Sequence, residues 1–205
     1  NTPANGEYAS DSAFVCSVDD STNAVYSLGA TTINGETVTG FKLGKSKQAG
    51  KFTSGAVGVD GAKYLNFYAQ GWKGGDVTLY FRVDGGTTQS VKLTSHDGVT
   101  GNPPFTALAF ADTDHYSFLL EGLTASSTIE FSTDANFALT SSDSTMASAR
   151  AIVCGVKLTD EPIEGGGNTD NPTPEPEGTV TIAEAIAAAD GAAIVIENAT
   201  VVGVY

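Results

Sequence analysis

Basic residues are scarce in this chain. Ten Lys and Arg stand against 24 Asp and Glu, a formal net charge of −14. Nucleic acid and anionic lipid both need a positive footprint, so neither is expected as the main partner. No apolar run reaches the ~18 residues that a membrane-crossing helix requires. The opening stretch, NTPANGEYAS, lacks the charged start and apolar core of a signal peptide, which fits a mature secreted chain or a cytosolic one. An acidic, Thr/Ser/Gly-rich composition with a Pro/Glu linker points to the extracellular or cell-surface alternative. Cysteine is nearly absent. Cys16 and Cys154 form no CxxC redox or zinc pattern, and each sits in an alternating apolar run. A disulfide between the first and last strands and two buried thiols are both open readings. GxSxG, P-loop and HExxH signatures are also missing, so the chain is not read as an enzyme.

What is present is glycine, 24 residues of it, and many short alternating runs broken by Gly, Asn, Asp, Ser and Thr. That pattern predicts an all-β domain over residues 1–159, with a polar N-terminal stretch followed by strands near 13–18, 24–28 and 36–43, two strands within 61–86 separated by a break at Gly71, Gly74 and Gly75, and further strands near 87–93, 115–120, 128–131 and 151–158. Residues 105–110 form a further apolar run inside a long loop, and Pro103-Pro104 excludes a central strand just before it. Nine or ten short strands at this spacing suit a two-sheet antiparallel β-sandwich with jelly-roll topology. Composition changes at Asp160. Residues 160–178 are a Gly/Pro/Glu-rich linker. Residues 179–205 open with the capping box Thr181-Ile-Ala-Glu184, which predicts a short helix followed by two strands. They are too few to enclose a core and are read as the truncated start of a second, α/β domain.

The stretch Gly61–Gly86 carries the strongest functional signal. It reads as a β-hairpin with Leu65, Phe67, Val77, Leu79, Phe81 and Val83 inward. The other face would then present Tyr64, Asn66 and Tyr68 from one strand and Thr78, Tyr80 and Arg82 from the other, with Trp72 at the bend. Sugar rings stack on aromatic rings and need polar partners for their hydroxyls, so Trp72, Tyr64, Tyr68, Tyr80, Asn66 and Arg82 form a candidate carbohydrate site. Cross-strand packing of the same tyrosines, with Trp72 capping the core, is the competing reading. His115–Leu120 and Thr128–Phe131 read as a second hairpin-like pair.

His96 beside Asp97, and His115 beside Asp112 and Asp114, invite a metal or acid/base reading, but His and Asp are ordinary turn and cap residues there. No metal site is assigned. Calcium suits a sandwich better than zinc, with Asp19, Asp20 and Asn23, or Asp112 and Asp114, as oxygen donors, although neither run matches a spaced calcium loop. Lys45, Lys47, Lys51 and Lys63 read as a solvated loop and strand edge.

The segments FKLGKSKQAGKFTSG, YLNFYAQGWKGGDVTLYFRVDGG, SSTIEFST and RAIVCGVKL together resemble the N-terminal β-sandwich of secreted or surface-anchored proteins of gut Bacteroidetes, over most of residues 10–160. The resemblance implies a jelly-roll, galactose-binding-like shape. The tail TVTIAEAIAAADGAAIVIENATVVGVY is similar to the start of the OB-fold domains that often come after it. This family is mostly of unassigned function and supplies no catalytic motif. The expected function is a non-catalytic binding module for a glycan or other cell-surface component. The alternative is a structural spacer or adhesion domain that presents the downstream OB-like domain.

Overall fold

In the computed structural model, which describes residues 8–33, 36–46, 48–72, 77–93, 95–96, 103, 108, 110–139 and 149–163, nearly all regular structure is strand. The strands are β1 (Val25–Ser27), β2 (Thr32–Ile33), β3 (Glu36–Thr37), β4 (Gly40–Leu43), β5 (Lys51–Thr53), β6 (Gly61–Trp72), β7 (Val77–Val83), β8 (Gln89–Leu93), β9 (Ser95–His96), β10 (His115–Leu123), β11 (Ile129–Ser132) and β12 (Ala151–Thr159). The chain divides into two units, Asn1–Thr169 and Asp170–Tyr205. The expected helix and strands of 179–205, and most of 105–110, lie outside the described residues.

The larger sheet runs β1-β4-β12-β6-β10, with β9 beside the far end of β6; the smaller sheet of the sandwich runs β5-β11-β7-β8, and β2 and β3 pair as a separate two-stranded sheet. Every pairing is antiparallel except β6 with β9. Take β4, β5, β6, β7, β8, β10, β11 and β12 in chain order. The first sheet then holds the first, eighth, third and sixth of them, and the second holds the second, seventh, fourth and fifth. That order is a jelly roll: most connections cross from one sheet to the other, which brings strands far apart in sequence side by side.

Phenylalanines from both inner faces fill the space between the sheets. Phe67 of β6 meets Phe81 of β7 at 6.0 Å between ring centroids and Phe131 of β11 at 5.6 Å, while Phe41 of β4 stacks on Phe52 of β5 at 4.0 Å. All five are buried, with Leu65, Leu79, Ile129 and Val153 around them. Edge-to-face and offset contacts of this kind add to burial, the dominant stabilising term.

Two expectations fail here for the same reason. Gly61–Gly86 is not a hairpin, because β6 and β7 lie in different sheets. Nor are His115–Leu123 and Ile129–Ser132 a pair, since β10 joins β6 and β11 joins β5 and β7. Alternation specifies strands and their faces but not which strand lies beside which. The observed hairpin in this region is β7 with β8. Its turn has Asp84 at φ +47° and Gly85 at φ +71°, closed by Gly86 N–H donating to the Val83 carbonyl at 2.7 Å. Positive φ at both central positions is the mark of a type I′ turn, whose twist matches the flanking strands.

The N-terminal segment also departs from expectation. Residues 13–18 form no strand; Ser12–Phe14 is a single 3-10 turn that drops Phe14 into the core and leaves Val18 76% exposed. Asp11 N–H donates to the Val156 carbonyl, and Ser10 Oγ accepts from Val156 N–H, so this segment lies along β12 rather than over a free surface. It attaches where β12 bulges at Gly155 (φ +61°), between Cys154 and Lys157. The extra residue keeps both Val153 and Val156 in the core.

Candidate functional site

Because the inner faces of β6 and β7 meet across the core, their outer faces point in opposite directions. Tyr64, Asn66 and Tyr68 lie on the outside of the larger sheet, and Thr78, Tyr80 and Arg82 on the outside of the smaller one. The six candidate residues therefore form no common surface.

On the larger sheet most of them are covered. Tyr68 is 8% exposed, with Tyr8 at 5.0 Å, Phe110 at 5.6 Å and His115 at 4.7 Å between ring centroids. Tyr68, Tyr8 and Phe110 join Leu28, Val38, Ile152 and Cys154 in a second apolar cluster outside the sheet. Trp72, 7% exposed, belongs to the same cluster. Its ring carries the Arg150 guanidinium at 3.7 Å and the Lys42 ammonium at 5.1 Å. Asn66 is also buried, and its partners are structural: Nδ2 donates to the Tyr64 carbonyl and to Thr159 Oγ1, and Oδ1 accepts from Ile163 N–H. With the Lys63–Asp160 ion pair, it ties down the chain where it leaves the sandwich. Tyr64 is half-buried.

The smaller sheet's outer face is more open. Register places Tyr80 beside Ser132 and Ser90, and Arg82 beside Glu130. Glu130 joins two cations, its Oε2 accepting from Arg82 Nε at 2.6 Å and its Oε1 from Lys51 Nζ at 3.3 Å. Burial pushes the Glu130 carboxyl up, but hydrogen bonds and charge from Arg82 and Lys51 outweigh it and hold the group below the usual range. The Arg82 guanidinium also stands 4.0 Å from the Phe137 ring. Phe137 sits at φ +53°, in a turn where Asp134 accepts from the backbone of Asn136 and Ala138. Tyr80 is thus a half-buried ring beside polar groups fixed in place.

Several of the remaining candidates make local structural hydrogen bonds. Asp20 accepts from Thr22 N–H, Asn23 N–H and Asn23 Nδ2, and Asp19 from Ser27 N–H, so both carboxylates cap a turn. Asp114 accepts from Ala111 N–H in the turn leading into β10. Among the described residues no cluster of three or more His, Cys, Asp or Glu is placed to hold a metal ion. His115 is buried, which lowers its pKa to about 4. Cys16 and Cys154 are both buried and unbridged. Cys16 belongs to the main core and Cys154 to the outer cluster, on the other side of the sheet. Of the lysines, Lys51 does lie on an edge strand, β5, but Lys51 and Lys63 are ion-paired rather than simply solvated.

Sequence reasoning missed Gln70, Lys42, Arg150 and Glu130. Alternation places Gln70 outward with Tyr68 and Trp72, yet it is fully buried, which local period does not record.

The sandwich with two unlike outer faces is the class that fold and geometry define. One solved structure it is similar to is that of TmCBM61, a carbohydrate-binding module, in complex with β-1,4-galactotriose, at a TM-score of 0.37 and 13% identity over 70% of this chain and 87% of the other. At those values the likeness carries nothing about ligand or site, and the fold rests on the strand order itself. No family profile matches the chain, and no curated protein matches it.

Proposed function

We propose that the sandwich is a non-catalytic carbohydrate-binding module acting outside the cell, and that it meets its glycan on the outer face of the smaller sheet, around Tyr80 and Arg82. The observation that carries this reading is the Tyr80 ring, only half-buried, beside the Arg82–Glu130–Lys51 triad. A ring face suits the C–H side of a sugar, and charged groups already held in position lose little freedom when they bind its hydroxyls. Trp72, Tyr68 and Asn66 leave the candidate set, because packing and structural hydrogen bonds occupy them.

The test is a glycan array probed with the full chain, with β-1,4-galactotriose on the panel, beside Tyr80→Ala. The expected result is binding that falls at least about tenfold in the variant, a loss of about 1.4 kcal/mol. Binding that Tyr80→Ala leaves unchanged removes the site from this face. Silence across the panel favours the second reading, a spacer that presents a downstream domain. The observation behind that alternative is the anchored exit, where Asn66 and Lys63 hold residues 159–163.

A further inference from the structure

The outer face of the smaller sheet is a grid of polar side chains with one aromatic ring standing among them. Tyr80 shares a cross-strand row with Ser132 and Ser90, and Lys51 lies on the far side of Ser132. The next row is Arg82, Glu130 and Thr53. Neighbours across a sheet are about 5 Å apart, and same-face neighbours along a strand about 7 Å. Ring and triad therefore fall within the span of one sugar. Among the described residues Tyr80 is the sole aromatic side chain on this face that is not buried, since Phe137 is packed against the Arg82 guanidinium.

The triad offers a donor and an acceptor side by side. Glu130 accepts the Nε–H of Arg82 on one carboxylate oxygen and an N–H of Lys51 on the other, and each oxygen can accept a second bond. Among the described residues the two terminal nitrogens of Arg82 meet no acceptor, while its plane is held 4.0 Å from the Phe137 ring. A sugar hydroxyl both donates and accepts. It can donate to Glu130 and accept from Arg82 without breaking either ion pair.

Charge narrows the ligand further. The strands and the turn after β11 bring three cations to this face, Lys51, Arg82 and Lys92, and two anions, Glu130 and Asp134, so the face is nearly balanced in a chain of formal net charge −14. Burial raises the Glu130 carboxyl, but Arg82 and Lys51 outweigh it and keep the group ionised at neutral pH. A carboxylate on the ligand would stand beside that charge and approach against the charge of the whole chain.

We infer that the site takes a single neutral pyranose, stacked on Tyr80, with adjacent hydroxyls held between Arg82 and Glu130. The inference rests on the glycan reading above and narrows it to a neutral sugar, met one ring at a time, because one unburied aromatic offers one platform.

The full chain, labelled with nitrogen-15, is titrated with the methyl β-glycosides of galactose, glucose and mannose, with the β-1,4-linked trisaccharide of each, and with sodium galacturonate and glucuronate at matched ionic strength. The readouts are the Arg82 Nε–H and Tyr80 amide signals. The expected result is a saturable shift with at least one methyl glycoside, a midpoint within about tenfold of its trisaccharide, and a weaker response or none with either uronate. In Glu130→Gln that midpoint rises at least about tenfold, whereas an acidic ligand would bind the variant more tightly. Should Glu130→Gln fail to fold by circular dichroism, Arg82→Lys, which keeps the charge and loses the fork, is titrated with the same expectation. A uronate that binds as tightly as its neutral counterpart or more so, a trisaccharide more than about tenfold tighter than its methyl glycoside, or a smaller rise in the variant overturns the inference and leaves the glycan reading in place. No saturable shift with any of these sugars overturns both.

Discussion

The two outer faces of this sandwich are built from the same kind of residue and meet opposite fates. Tyr68 and Tyr80 occupy matching outward positions on strands adjacent in the sequence. Tyr68 lies beneath Tyr8 and Phe110 in a second apolar cluster, while Tyr80 is only half-buried next to an ion-paired triad. Outward on a strand therefore does not mean open to water. A sheet face becomes core wherever other segments of the chain fold over it, and a jelly roll supplies long crossing connections able to do so.

The sharpest way to break this comparison is to truncate both rings. Tyr68→Ala removes a fully packed aromatic and is expected to cost about 3–5 kcal/mol in urea unfolding. Tyr80→Ala is expected to cost less than about 1 kcal/mol. Similar losses in both would show that the two faces are covered alike.

The next effect is read by pH. His115 is held to about pKa 4 by burial, against an ordinary 6.5. The unfolded chain binds the proton more tightly between those values, so the contribution is fully present above about pH 6.5 and is lost as pH falls toward 4. The loss is expected to reach about 3 kcal/mol, and His115→Phe should flatten the curve in that window. A wild-type stability that stays level from pH 7 to 4.5 would mean that the face over Tyr68 admits water.

The smallest effect belongs to the open face. Glu130→Gln is expected to cost about 1 kcal/mol at pH 7, since its partners are partly solvated. Because the carboxyl is held below its ordinary value of 4.5, the wild type should lose this advantage as pH falls through and below that value. A cost of several kcal/mol would place the triad in a drier setting than its exposure implies.

Much of the fold was legible. Alternation through Leu65–Phe67 and Val77–Val83 identified the inward residues correctly, and the short, glycine-punctuated runs identified a sandwich. Strand pairing was not legible. Gly71 looked like the start of a hairpin turn, but it lies within β6, paired with Ala151, and β7 belongs to the other sheet, so one face of six residues became two faces of three. The short 13–18 run read as a strand because Phe14, Cys16 and Val18 alternate, and a single turn places Phe14 equally well.

Taken alone, the sequence determined which side chains face inward, because a strand's period of two and the free energy of burying Phe, Leu, Ile and Val act locally along the chain. It also determined the formal net charge of −14, the ground for expecting no polyanionic partner. Only the tertiary structure decided which outward faces stay open. That depends on Tyr8, Phe110 and the Thr159–Ile163 exit meeting β6 across long separations, and no local period records such contacts.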